Sequence, residues 1–256
     1  MNKSEHKFRP RHLTLRKMTW PEAKEAIEKV KMVIVPLGSC EQHGPHLPLD
    51  TDTTLGEEMA FRLAEKVGAV VLPTLPFGQV WSARDYPGTI SLSPDTLKAI
   101  LIDVCKSLYR HGVNRVVLLS GHLGNLPYLK EAAREVVDSG IEMTFWSFCY
   151  PNYKALSKGL MTTPFWNGSV FHAGELETSL LLAVAPDDCQ MDKAVSEFPI
   201  VPPNYEFSPS SWKAISNSGV FGDARAATAQ KGAEYIDRQV AFMAEVILSG
   251  LGDKKT

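Results

Sequence analysis

The sequence predicts an α/β fold, a three-layer α/β/α arrangement around a mostly parallel central sheet, on three observations. Strand-like apolar runs alternate with helical patterns from Met32 to Tyr150. The runs are continuous in Val, Ile and Leu, which suits strands covered on both faces. The repeated strand-helix order implies right-handed crossovers between parallel strands.

In chain order, MVIVPLG (32–38) reads as the first strand and TTLGEEMAFRLAEKVG (53–68) as the helix after it. AVVLPTLPF (69–77) reads as a second strand, followed by the helix SPDTLKAILIDVCKSLYRHG (93–112). Ser93 there is an N-cap with Pro94 at the first helical position. NRVVLLSG (114–121) and NLPYLKEAAREVVDSG (125–140) form the next strand-helix pair, and IEMTFWSFCY (141–150) the last strand. Gly68, Gly112 and Gly140 stand where helix C-caps belong. The second half is rich in Pro, Asn and Ser, with one helical patch at GELETSLLLAVA (174–185) and a closing helix from about Asp223 to Leu248. No linker or repeat divides the chain, so residues 1–256 are expected to form one domain.

Composition excludes several classes. The chain has 256 residues, 44% hydrophobic, with a net charge of −2, so the electrostatic footprint of a nucleic-acid binder is missing. No apolar run approaches a membrane span and the polar N-terminus lacks a signal-peptide core, so a cytoplasmic location is expected. Residues 7–17 read as a solvated or subunit-contacting basic arm. Cys40, Cys105, Cys149 and Cys189 form no CxxC and read as free thiols, Cys40 as a small filler.

The chemistry gathers where strands end. In an open parallel sheet, ligands bind beyond the carboxyl ends of the strands. VIVPLGSCEQHGPHLPLDTDTT (33–54) places Glu41 and His43 two apart, so that both point one way in an extended segment and Gln42 points away. Asp52 follows a short loop. A carboxylate, an imidazole and a second carboxylate form an oxygen and nitrogen set suited to zinc, manganese or iron, and the lack of thiolates favours a catalytic site. His122, between Gly121 and Leu123-Gly124, is delivered to the same edge by the third strand. A third cluster holds His172 before a helix, with Glu175 and Glu177 in its first turn; acidic residues there also complement the helix dipole. His6, His12 and His111 read as surface residues, and His46 as either substrate contact or loop support.

GSCEQHGPHLPLDTD, YPGTIS, SGHLGN and HAGELETS, in this order and spacing, resemble the creatininase (creatinine amidohydrolase) family over about two-thirds of the chain. The resemblance implies the family's three-layer fold, assembly into homo-oligomers that are often hexamers, and two divalent metals per subunit. Carried over, it places Glu41 on one metal, His43 on the other, Asp52 between them and His122 as a further ligand. Creatininase itself reads GHYEN where this chain has GHLGN, and uses that glutamate as a ligand. Glu177 is the expected replacement and Glu175 the second candidate, otherwise catalytic beside His172.

The family tryptophan that closes over creatinine lies four residues before the catalytic histidine, where this chain has Gly168, with Trp166 out of register. A substrate other than creatinine is therefore expected: a small cyclic amide or related small molecule attacked at its carbonyl by a metal-activated water. His172 would move the proton. WSARDYPGTIS (81–91) is expected to line the substrate, through Ser82, Arg84 and Asp85, with His46 as a further contact. Alternatives are hydrolytic opening of a cyclic ketone such as an inosose, a metal-binding regulatory protein, and a nucleotide-binding protein, the last without a phosphate loop to support it.

Overall fold

The computed structural model describes residues 11–168 and 170–252. His6 and the basic stretch as far as Pro10 lie outside the described residues. Seven α-helices are described: α1 (Trp20–Val30), α2 (Thr51–Val67), α3 (Pro94–Arg110), α4 (Leu126–Asp138), α5 (Tyr153–Leu156), α6 (Glu175–Val184) and α7 (Ala229–Gly252). Four strands, β1 (Met32–Leu37), β2 (Val70–Val71), β3 (Arg115–Ser120) and β4 (Thr144–Phe148), make one sheet in the order β2-β1-β3-β4, every pair parallel. A short ribbon, β5 (Ser196–Glu197) against β6 (Gly222–Asp223), is antiparallel and separate.

Side-chain alternation on the buried strands divides the core into two layers, as period-2 geometry requires. Met32 and Ile34 of β1 join Val117 and Leu119 of β3 on one face, packed by α2, α6 and α7 through Leu55, Leu63, Leu180, Val240 and Ile247. Val33, Val35 and Leu37 join Val116 and Leu118 on the other, covered by α3 and α4 through Leu97, Leu101, Leu129 and Val136. Helices therefore cover both faces of the sheet.

The connections place the site. β1 crosses through α2 to β2 on one side, whereas β3 crosses through α4 to β4 on the other. Between the carboxyl ends of β1 and β3 the chain direction thus diverges, and a crevice opens at this switch point.

Three local expectations change. The second strand pairs only at Val70 and Val71, with one further bridge from Leu75 to Leu37. Pro73 and Pro76 lack the N–H that a regular ladder needs. α1, unmarked by the apolar pattern because Ile27 is its only buried residue, is set by a capping box in which Glu22 accepts from the Thr19 N–H at 2.6 Å. α7 begins at Ala229, not near Asp223, because the Asp223 carboxylate accepts from the Arg225 N–H and holds a tight turn instead. The four cysteines are free thiols. Among the described residues, no helix is long and apolar enough to cross a membrane.

Candidate metal centre

Two glycines at the strand ends let α2 seat directly on the sheet. A Cβ on Gly38 would lie 2.3 Å from the Thr53 Cα, and one on Gly121 would lie 2.1 Å from the Asp52 carbonyl oxygen. Only with hydrogens there can the first turn of α2 reach the crevice and carry Asp52 into it. Asp52 also gains from the partial positive charge of that helix end. Glu177 enters from the first turn of α6, accepting the Ala173 N–H at 2.6 Å. Ala173 adopts φ +50° to aim that N–H, a conformation costing about 1–3 kcal/mol of the kind stored at functional sites.

Six of the expected residues come together as three overlapping groups: Glu41, Asp52 and His122; His43, Asp52 and Glu177; and Glu41, His43 and His172. Asp52 belongs to the first two. Its Oδ1 lies 3.2 Å from His43 Nε2, and its Oδ2 lies 3.0 Å from His122 Nδ1. Glu41 Oε2 is 2.9 Å from the same His122 nitrogen, and Glu177 Oε2 is 3.9 Å from His43 Nε2. One carboxylate therefore presents an oxygen to each of the first two groups, the arrangement a bridging ligand needs.

The tautomers test whether these residues suit a cation. His43 Nδ1 lies 3.0 Å from the Glu41 carbonyl, and His122 Nε2 lies 2.8 Å from the Gln79 carbonyl. A carbonyl only accepts, so each of these nitrogens carries the proton, and the other nitrogen turns a lone pair toward carboxylate oxygens. Acceptors facing acceptors repel unless a positive charge lies among them. Glu41 Oε2 and His43 Nε2 are buried with no hydrogen-bond partner. Imidazoles donating their outer N–H to carbonyls while pointing the other nitrogen at a common locus are the usual surroundings of a metal.

Where no cation neutralises them, the carboxylates instead draw protons onto these imidazoles. Burial alone would depress His43, but Asp52, Glu177 and Glu41 hold it up at about 10. His122 is raised well above its ordinary value by Glu41 and Asp52, against the effect of burial. Despite its own burial, Asp52 is held well below the carboxylate range by His43 and His122. Burial pushes Glu177 up to about 8, opposed by His43. Carboxylates that hold protons on two buried imidazoles would accept a metal cation in place of those protons.

His172, the third member of the remaining group, is held by Gln42 twice: its Nε2 lies 2.7 Å from the Gln42 carbonyl, an acceptor, and 2.9 Å from the Gln42 side-chain Nε2, a donor, while its Nδ1 lies 3.9 Å from Glu177 Oε2. The ring is sandwiched between His43 and Trp212, with centroid separations of 4.5 and 4.7 Å. Burial pushes its pKa down to about 4, so the ring is neutral at pH 7.

Other expected residues are placed elsewhere. Glu175 does not reach the centre. Its carboxylate accepts from the N–H and hydroxyl groups of Thr162 and Thr163 and pairs with Lys231 at 2.5 Å, which corrects its catalytic assignment and its candidacy as a ligand. His46 is buried with Nε2 2.9 Å from Thr178 Oγ1, which makes it a support of α6. Arg84 lies over the Trp81 ring at 4.1 Å, and both it and Asp85 are half-exposed, 3.8 Å apart, at the surface. The Ser82 carbonyl accepts from the Trp212 N–H at 2.8 Å. That segment thus adjoins the site through the Trp212 backbone, with the side chains of Arg84 and Asp85 directed to the surface. Trp166 is turned inward, its Nε1 donating to the Pro199 carbonyl at 2.6 Å.

Several supporting residues carry no signal in the sequence. Ser39 donates to Asp52 Oδ2 at 2.7 Å. Gln42 does point away from Glu41 and His43, yet it braces the far side of the site, with Nε2 donating to the Gly219 carbonyl at 3.1 Å and Oε1 accepting the Gly44 N–H at 2.9 Å. Trp212 lies forty residues beyond His172 and is brought to it only by the fold.

The family model Creatininase: Creatinine amidohydrolase matches residues 16–247. The creatinine amidohydrolase of Pseudomonas putida is 30% identical over 252 residues, covering 92% of this chain and 93% of its own. The mycofactocin precursor peptide peptidase of Mycolicibacterium smegmatis is 33% identical over 211 residues, covering 79% and 78%. A solved structure described as Creatininase Mn superposes with a TM-score of 0.82 at 28% identity, covering 93% of this chain and 98% of that one. A mutant creatininase of Zn-Zn type superposes with a TM-score of 0.83, at the same identity and coverage.

Proposed function

The chain belongs to the creatininase family and is a hydrolase, and from that premise we propose that it cleaves a C–N bond at the carbonyl of a small amide, using two divalent cations per subunit. One observation carries this conclusion: Asp52 gives one oxygen to each of two buried groups whose histidines turn their inner nitrogens toward it. Glu41 and His122 would hold one ion with Asp52, and His43 and Glu177 the other. When bound, such ions supply Lewis acidity and lower the pKa of water toward 7.

The remaining work falls to the chain itself. His172, neutral and oriented by Gln42, takes a proton as water attacks and returns it to the departing nitrogen. Trp212 shields the ring from solvent and Gln42 fixes the carbonyl that orients it. Gly168 brings no ring over the site, and Trp166 is committed to Pro199, which favours a substrate other than creatinine.

Oligomerisation is supported by the highly exposed Trp20, Ile200 and Phe207. A homo-oligomer, hexameric by family habit, is expected in sedimentation, and a monomer at micromolar concentration would refute it. A single domain is supported by two core layers sharing one sheet, and a cytoplasmic location by the four free thiols.

The test of function is metal analysis of purified protein followed by a panel of lactams, formamides, short peptides and inososes. Metal-dependent release of an amine or carboxylate is the expected result. Turnover of inososes alone would replace amide hydrolysis with ring opening, and a metal-free protein would end the proposal.

A further inference from the structure

Asn125 follows the Leu123-Gly124 pair that stands where a carboxylate ligand was sought. Its side chain is completely buried and is bonded to three separate segments. Nδ2 donates to the Gly38 carbonyl at 3.0 Å and to Ser120 Oγ at 3.1 Å, while Oδ1 accepts the Gln79 N–H at 2.9 Å. Each partner leads onward to the centre. The Gln79 carbonyl accepts from His122 Nε2 at 2.8 Å. Ser120 Oγ accepts the His122 N–H at 3.0 Å and donates to the His122 carbonyl at 2.9 Å. Gly38 immediately precedes Ser39, whose hydroxyl holds Asp52 Oδ2.

All three lines end on His122 or on the Asp52 oxygen that faces it. None of the three bonds is made to a residue of the His43 and Glu177 side. We propose that Asn125 is the positioning residue for one ion of the pair, the one held by Glu41, Asp52 and His122, and sets its affinity without touching it. The inference rests on the two-metal reading above.

The chemistry demands a carboxamide. A carboxylate at this position would set an acceptor against the Gly38 carbonyl and against a Ser120 hydroxyl whose proton is already given to His122. An alanine would leave the Gln79 N–H and the Gly38 carbonyl unpaired in the interior. Even the seat is shaped for it, since a Cβ on Gly78 would lie 2.5 Å from Asn125 Oδ1.

The experiment is calorimetric titration of the metal-free full chain with Zn²⁺ or Mn²⁺, comparing wild type with Asn125→Asp. Wild type is expected to bind two ions. In the variant one site should weaken about 10–100-fold, the effect of disturbing the outer partners Gln79 and Ser39 that hold its ligands, while the other stays within about threefold. Adding Asn125→Asp to Glu177→Gln should then remove the one strong site that Glu177→Gln leaves. Equal weakening of both sites, or of neither, would overturn the inference. Should Asn125→Asp fail to fold, Gly78→Ala displaces the same carboxamide without removing it, and the same selective loss decides the matter. A wild-type chain that binds no metal defeats both the reading and the inference; two unchanged sites in the variant defeat only the inference.

Discussion

Ser39 Oγ donates to Asp52 Oδ2 at 2.7 Å, and the other oxygen of that carboxylate lies 3.2 Å from His43 Nε2. The hydroxyl therefore fixes the rotation that lets one carboxylate serve two groups. Ser39→Ala should keep the fold and weaken metal binding about 10–100-fold, as loss of an outer hydrogen bond to a ligand does elsewhere. Metal titration checks it; unchanged affinity at both sites would show that packing alone orients Asp52.

His172→Ala and Asp52→Ala should separate chemistry from binding. The histidine variant should retain its metal while kcat falls about 100- to 10,000-fold, the range for losing a general acid or base. Asp52→Ala should lose metal and activity together, because it removes the anion shared by two like charges. Elemental analysis beside steady-state kinetics distinguishes the cases, and a metal-free His172→Ala would make the histidine a ligand.

Gly121→Ala should destabilise the chain through its new Cβ, 2.1 Å from the Asp52 carbonyl oxygen. Overpacking of this kind costs about 1–3 kcal/mol or more, and backbone is slow to yield. Gly140→Ala is the control: φ is +86° but nothing lies within 4 Å, so it should cost only about 1 kcal/mol of strain. Urea denaturation of both variants gives the comparison.

Glu175 should contribute a pH-dependent share of stability. Although burial would raise it, Lys231, Thr163 and Thr162 hold its pKa at about 2, below the ordinary 4.5. A depressed carboxylate stabilises the native state above the unfolded value and loses that contribution as pH falls through the folded one. The stability difference between wild type and Glu175→Gln should thus be full above about pH 5 and shrink toward pH 2. A difference independent of pH would assign the effect to shape alone.

The layers, the strand-helix succession of the first half and the location of the site were legible because they depend on local patterns. Continuous apolar runs mark β1 and β3, and the Glu41-His43 alternation marks a shared direction. The choice between Glu175 and Glu177 was also within reach, because residues two apart on a helix do not face the same way. Only one could enter the crevice. Ser39, Gln79 and Asn125 were illegible for a different reason: they act through carbonyls and hydroxyls of distant segments, and nothing in their residue types announces the partner. β2 shrank because prolines interrupt a ladder that hydropathy alone would continue.

Every side chain of the two groups is buried, from 1% exposed at Glu41 to 8% at His122, and His172 lies behind Trp212. An ion held there would be screened from solvent by these side chains, and its release would need some of them to move. Its residence time is then set by local opening, not by bond strength alone. Half-buried Trp212, tied to the Ser82 carbonyl by one hydrogen bond, is the thinnest part of the cover. Isotope exchange of the bound ion should follow the frequency with which that tie breaks, and two proteins of equal affinity but different cover would trade metal at very different speeds.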